Sequence, residues 1–288
     1  MKPEEFDFIA SLLKEYSGFS LVPSQLYLLE SRLGPLLRQN NLIGLEDLVT
    51  SLKLNNTELR KSMIEAVSVN NTRFFRNKYV FENIKNFILQ KAKKGKNYTQ
   101  IKILSAGCAS GQEPVSIALM LQEMHLSVPV NIYALDMSRQ MIARAKKALY
   151  THYEVQKGLP SSFLLKYFTS APDNHWKLNS NVLSTIHYGV HNLMNEFDEK
   201  DFDIILCRNM LSFMTQEAQN TALKNLNAVL KKNGLLIIGA SEVLKQNPYF
   251  EKEAGQIACY HPISRSEKYK ASAWNLVKKP LFKSALNK

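Results

Sequence analysis

Gly107 and Gly111 close an apolar run that begins at Ile101. Lacking a Cβ, both let the backbone approach a ligand where other residues would collide. Glu113 and Pro114 follow: an acid suited to the positive end of a helix, and a proline suited to its first turn. A second apolar run ends in Asp136. A carboxylate at a strand end beside a glycine turn can accept both hydroxyls of a ribose. As a plain helix cap it competes with Ser138, which fits that role better. The loop has no lysine, unlike an ATP-type phosphate loop, and lacks the third glycine of the dinucleotide fingerprint. The layout points to a nucleoside-containing cofactor.

Three further clusters join it. Asn192 and Leu193 follow an apolar run, and an amide there either reads an adenine edge or simply turns the chain. The run 202–207 ends at Arg208 and Asn209. Asn209 then faces the ligand crevice at a strand end, and Arg208, costly to bury alone, requires a partner. Upstream, Asn70, Thr72, Phe74, Phe75 and Arg76 mix polar and aromatic residues. Either phenylalanine suits a core, while Asn, Thr and Arg beside them suit a lid over a site.

The bulk numbers bound what surrounds these residues. A chain of 288 residues with 45% hydrophobic content holds one large domain or two modest ones and is expected to be ordered for most of its length. It has no apolar run of about 18 residues, so no membrane insertion is expected. The acidic, amphipathic N-terminus is not a signal peptide. Cys108, Cys207 and Cys259 are odd in number and far apart, which argues against a disulfide framework or a zinc site and for a reducing cytoplasm. The net charge of +12 favours an anionic partner. The competing reading is a solvated excess. Lysines crowd residues 91–96, and the tail beyond Pro262 carries seven basic residues against Glu267.

The elements that must position the candidates follow from periodicity. Phe6, Ile9, Leu12, Leu13 and then Leu26, Leu29, Leu33, Leu36 recur at helical spacing, so residues 1–69 read as an all-α domain. Residues 70–79 read as a linker contributing to the site, and a helix follows over 80–94. Strands are expected at 101–105, 130–135, 185–190, 202–207, 235–240 and 257–261, with helices at 113–125, 138–149, 161–168 and 216–230. This alternation predicts a mostly parallel, doubly wound α/β domain over 80–262, with a small excursion near residues 173–181 and a basic tail over 263–288.

Taken in order, these motifs resemble the chemotaxis receptor glutamate O-methyltransferases, the CheR family. The family pattern Asn-x-Thr-x-Phe-Phe-Arg matches Asn70 to Arg76. Ala-Gly-Cys-Ser-Thr-Gly-x-Glu-Pro matches Ala106 to Pro114, with Ala109 and Ser110 as mild changes. Phe-Asp-x-Ile-x-Cys-Arg-Asn-x-x-x-Tyr matches Phe202 to Phe213, and a late strand leads into Ser241-Glu242. The resemblance implies a Rossmann-like S-adenosylmethionine (SAM)-dependent methyltransferase sheet behind an all-α domain, interrupted by a small β-subdomain at about 169–184. It implies a SAM site formed by Asn70, Thr72, Arg76, Glu113, Asp136, Asn192, Leu193, Arg208 and Asn209 over the Gly107 turn. The implied reaction is methylation of glutamate carboxylates on the cytoplasmic helical region of bacterial chemoreceptors; the oligomeric state stays open, with a monomer as the default.

Departures from the family pattern matter. Phe213 stands where the family has tyrosine; the hydroxyl is lost, but the ring can still pack against the sulfonium. Arg76 is the candidate for aligning the substrate carboxylate, or else it holds the carboxylate of SAM. The arginine-rich helix keeps Arg32 and Arg38 for receptor docking, with Gly34, Pro35 and Leu36 between. The loop around Pro172 looks short for clasping a C-terminal receptor tether, and no tether is expected. Two other readings compete. The charge suggests a nucleic-acid methyltransferase, opposed by the missing Asn/Asp-Pro-Pro motif, and no nucleic-acid partner is expected. Phe213 suggests a non-catalytic SAM-binding module.

Overall fold

The computed structural model describes residues 2–68, 71–93, 99–245 and 247–263. Asn70 and the basic tail beyond Ile263 lie outside the described residues.

Four helices form the N-terminal unit: α1 (Pro3–Ser17), α2 (Leu26–Gln39), α3 (Leu45–Lys53) and α4 (Thr57–Val67). Apolar side chains four apart give each helix one inward stripe. Ile9 and Leu13 on α1, Leu29 and Leu33 on α2, and Leu48 and Leu52 on α3 meet Met63 and Ile64 of α4 in a closed core. Each such side chain contributes about 1.5–3 kcal/mol by leaving water. Pro3 opens α1, and Gly18 closes it in the left-handed region at φ 72°. The Asn56 side chain caps α4 by accepting from the Leu59 amide at 3.0 Å.

Helix α5 (Lys78–Lys93) leads into the α/β domain. Its elements run β1 (Ile101–Ala106), α6 (Gln112–Met124), β2 (Val130–Asp136), α7 (Arg139–Lys147), β3 (Leu149–Thr151), α8 (His152–Gln156), α9 (Ser161–Tyr167), β4 (Phe168–Ala171), β5 (His175–Leu178), α10 (Ser180–Leu183), β6 (Ile186–Val190), β7 (Phe202–Cys207), α11 (Gln216–Val229), β8 (Leu230–Ile238), β9 (Phe250–Lys252) and β10 (Cys259–Pro262). Seven strands form one sheet in the order β6-β2-β1-β7-β8-β10-β9. The first five are parallel; β10 runs antiparallel to β8 and to β9. Period-two alternation sends neighbouring residues into opposite layers. Ile103, Ile204 and Ile237 pack on one face, and Leu104, Ile205 and Leu236 on the other.

The small sheet, ordered β3-β5-β4, draws its first strand from Leu149, well upstream of the 169–184 span expected for it. A three-residue strand of Leu-Tyr-Thr carries too little alternation to be read. Strand β9 and the short helices α8 and α10 escaped for the same reason. No helix among the described residues is long and apolar enough to cross a membrane.

The two units touch where Phe19 bridges to Met214. The Ser20 amide donates to the Phe213 carbonyl at 2.8 Å, and the Thr215 amide to the Gly18 carbonyl at 2.9 Å. A Cβ on Gly18 would sit 2.3 Å from the Ala218 Cβ on α11. Gly18→Ala is therefore expected to lower stability by about 2–4 kcal/mol through left-handed strain plus overpacking, measured by urea unfolding.

Candidate functional site

Register decides where the motif residues emerge. Ala106 lies opposite Leu135 on one side and Cys207 on the other. Gly107, Asp136 and Arg208 follow and therefore leave the sheet side by side at its carboxyl edge. The chain turns to opposite sides of β1 here, towards β2 and β6 or towards β7 and β8. In doubly wound sheets this switch point opens a crevice. A pocket lies in it. Gly107, Ala109 and Asp136 line it from the sheet, His191, Asn192 and Leu193 from the β6 side, and Arg208, Asn209 and Met210 from the β7 side. Ser17, Phe19 and Ser68 come from the helical unit.

Asp136 is buried and ionisable. Its two oxygens accept the Ala109 and Ser138 amides, each at 2.9 Å. A carboxylate offers about four lone-pair directions, so two remain for the hydroxyls of a ligand. Burial pushes the Asp136 carboxyl above its ordinary range, opposed by the amides of Ser138 and Ala109. Ser138 caps α7, accepting from the Met141 amide at 3.2 Å. The cap and the pocket carboxylate are thus separate residues.

Arg208 has the partner its burial demands. Its guanidinium meets Glu113 at 2.7 Å, with the side chains 3% and 13% exposed. It also donates to the Arg76 carbonyl at 2.9 Å and to Asn77 Oδ1 at 2.7 Å. Glu113 in turn accepts from Ser105 Oγ at 2.8 Å. The segment that delivers Arg76 and Asn77 is anchored by its aromatics. Phe74 is fully buried, edge-on to Tyr150 and Phe168. Phe75 packs on Phe81 and Phe163, and its amide donates to Ser116 Oγ at 3.0 Å. The Arg76 side chain donates to the Asn71 carbonyl at 3.1 Å and has no carboxylate partner among the described residues. Burial, then the neighbouring charges of Arg208 and Arg73, pull its pKa below the ordinary arginine value.

Of the residues singled out in the sequence, Gly107, Asp136, Asn192, Leu193, Arg208 and Asn209 line this pocket. Glu113 and Arg76 sit behind Arg208, as its partners. Thr72 is half-buried and is not among the lining residues; Asn71 is. The Asn192 amide is engaged elsewhere. Its Nδ2 donates to the Tyr16 carbonyl at 2.6 Å, and its Oδ1 accepts the Met194 amide at 3.0 Å, closing a turn.

Phe213 is not among the residues lining this pocket. It lines a neighbouring apolar cavity of about 240 Å³, shared with Leu13, Leu29 and Val67 of the helical unit. A 3₁₀ turn, Leu211–Phe213, causes this: Leu211 points inward, and two residues later the side chain faces another way. Arg32 departs from the expected docking surface. It is half-buried, lines the same cavity and donates to the Val67 carbonyl at the end of α4. Arg38 is exposed.

Sequence reasoning missed Glu242. Its buried carboxylate accepts the amides of Asn209 (2.8 Å), Gly239 (2.7 Å) and Ser212 (3.1 Å), locking the β7 and β8 ends together. The Ser-Glu pair after the late strand was its only signal. The roof residues Ser17 and Phe19 were also missed; their segment reads in sequence as a helix break.

The pocket suits a polar nucleoside with an anionic end. Asp136 keeps lone pairs for hydroxyls, and Arg208 lines the β7 side with Arg76 behind it. Arg208 Nε and His191 Nε2, on two lining residues, are buried without partners among the described residues.

Comparison with known proteins agrees with this geometry. Residues 4–68 match the CheR methyltransferase all-alpha domain, and residues 70–259 match the CheR methyltransferase SAM binding domain. The chain is 30% identical over 251 residues to chemotaxis protein methyltransferase 1 of Pseudomonas aeruginosa, covering 85% of this chain and 92% of that one. It is 32% identical over 248 residues to the chemotaxis protein methyltransferase of Vibrio parahaemolyticus, covering 84% and 90%. A Borreliella burgdorferi protein of the same description is 29% identical over 259 residues, covering 86% and 91%. With its helical unit and its SAM-binding sheet each matched in order, the chain belongs to the CheR methyltransferase family.

Proposed function

We propose that this SAM-dependent methyltransferase acts on chemoreceptors, esterifying glutamate side chains in their cytoplasmic helical region. The observation that carries the reading is Arg76. It is a half-buried guanidinium beside the SAM pocket, with like charges next to it and no carboxylate partner among the described residues. An incoming carboxylate relieves that field, and the planar fork of arginine matches its two oxygens. SAM, when bound, supplies a methyl group on a good leaving group. A glutamate carboxylate, with an ordinary pKa of about 4.3, is already ionised at neutral pH. The chain therefore needs no general base; its task is alignment and exclusion of water. Asp136 holds the ribose, Glu113 fixes Arg208, and Arg208 steadies the backbone carrying Arg76.

For docking, the exposed Arg38 supports attraction to acidic receptor helices, while the hydrogen bond of Arg32 to Val67 favours a structural role. The β4–β5 hairpin closes through Pro172, Asp173 and Asn174 alone, which supports recognition without a C-terminal tether.

The test is transfer of labelled methyl from SAM to membranes carrying the chemoreceptors of the same organism. Counts on a receptor band that mild alkali releases as methanol are expected. Alkali-stable counts, or none while SAM still binds, would overturn the glutamate assignment. Arg76→Ala is expected to lower transfer at least tenfold, about the loss of one charge-assisted hydrogen bond. Unchanged SAM affinity in that variant assigns Arg76 to the acceptor carboxylate; weakened affinity assigns it to the carboxylate of SAM.

A further inference from the structure

Two openings lie side by side where the helical unit meets the sheet. The SAM pocket and the apolar cavity beside it share Phe19 as a common wall. Their other walls run on from one to the next. Leu13 lines the cavity and Ser17, one turn later on α1, lines the pocket. Val67 is followed in the same way by Ser68, and Phe213 by Met214. Four residues of α-helix rise about 6 Å, so the two openings lie about one helical turn apart. The partition between them is held on both sides of Phe19, by the Ser20 amide on the Phe213 carbonyl and the Thr215 amide on the Gly18 carbonyl.

The cavity is apolar and can be reached from outside. Leu13, Leu29 and Val67 are buried at its floor. Ser20 is exposed at its mouth, and Leu21, Gln25 and Phe213 are part-exposed there. One charge stands in its wall: Arg32 spends a donor on the Val67 carbonyl and has no carboxylate partner among the described residues.

We propose that this cavity receives an aliphatic side chain of the methyl-accepting helix, three or four positions from the glutamate that enters the SAM pocket. The inference rests on the receptor reading above. On one face of a helix, residues three or four apart stand about 5–6 Å from each other, which matches the offset between the two openings. A helix that offers its glutamate to the pocket therefore carries the next residue of the same face across Phe19 and over the cavity. The apolar floor takes that residue out of water, which supplies binding energy away from the reacting carboxylate. Arg32 sets a positive charge beside the entry, complementary to a helix with acidic flanks. The enzyme then selects a glutamate by its neighbour one turn away as well as by its carboxylate.

Kinetics of methyl transfer to receptor membranes, with the full chain, test this. Leu21→Trp places an indole in the mouth of the cavity and leaves the residues of the SAM pocket unchanged. The KM for receptor is expected to rise at least tenfold, about the loss of burying one aliphatic side chain, with kcat and the affinity for S-adenosylhomocysteine preserved. That affinity and the urea midpoint establish folding; should Leu21→Trp not fold, Gln25→Trp blocks the same mouth. On the receptor, serine replaces the aliphatic residues three and four positions from a methylated glutamate. This change is expected to raise the KM of the unaltered enzyme by a similar factor and to add little to that of Leu21→Trp, because both remove one contact. An unchanged KM in the blocked enzyme overturns the proposal. Full additivity of the two changes also overturns it and assigns the cavity to another occupant, a small apolar molecule or a second copy of this chain. No transfer by the unaltered enzyme fails the receptor reading itself, and this inference with it.

Discussion

Asp136→Asn is expected to weaken SAM binding about a hundredfold, from hydrogen bonds to a charged group worth about 1.5–3 kcal/mol each. The carboxylate already serves the Ala109 and Ser138 amides. An asparagine replaces one oxygen with a donor, so an amide or a ribose hydroxyl must go without its acceptor. Binding should also be sensitive to acid. In the proposed ribose site the ionised carboxylate is the form that receives hydroxyls, and burial raises its pKa in the folded chain. Affinity is therefore present above that raised pKa and is lost as pH falls through it. The loss begins at a higher pH than for an exposed aspartate, whose pKa is about 3.9. The sign for folding of the free protein is opposite. Stability from the protonated form is present in acid and fades as pH rises through the same value. Calorimetric titration at descending pH checks both points. An Asp136→Asn protein that binds like the original would remove Asp136 from the ribose site.

The second large effect is expected at Glu113. Glu113→Ala leaves Arg208 buried without its counter-charge, and breaking such a pair costs about 3–5 kcal/mol. The consequence spreads, because Arg208 also holds the Arg76 carbonyl and Asn77. Glu113→Leu combined with Arg208→Met leaves no orphaned charge and is expected to be less destabilising than Glu113→Ala alone. Urea midpoints of the single and double variants measure this. A Glu113→Ala midpoint matching that of the original chain would mean that water solvates Arg208 where the pair now stands.

Those two sites mark what could be read from the chain. Gly107, Asp136 and Arg208 were legible because each follows a run of apolar residues, and a strand end in a parallel sheet is a defined place. The parallel order followed from helices alternating with strands. Phe213 could not be assigned to one cavity or the other, because a 3₁₀ turn of three residues changes which way a side chain faces and no periodicity marks so short an element. Arg32 looked like a surface charge because its acceptor, the carbonyl of Val67, lies 35 residues away in the chain. Glu242 gave only a weak sign. Its three partners are backbone amides, which any sequence supplies, so only the meeting of the β7 and β8 ends makes it matter.

The hydrogen bond from Asn192 to the Tyr16 carbonyl belongs to a wider seam. Glu65 on α4 also accepts from Ser138 Oγ at 3.2 Å and from the Gln140 amide at 3.3 Å. Both contacts join the helical unit to residues that wall the SAM pocket or adjoin it. Thermodynamic reciprocity then applies: whatever affinity the docked helical unit lends to SAM, bound SAM returns as cohesion between the two units. A ligand specific for the docked form, at a hundred times its dissociation constant, adds about 2.7 kcal/mol to that form. The supply of methyl donor thereby becomes a mechanical variable, which sets how firmly the surface carrying Arg38 is held against the chamber where the methyl group is passed on.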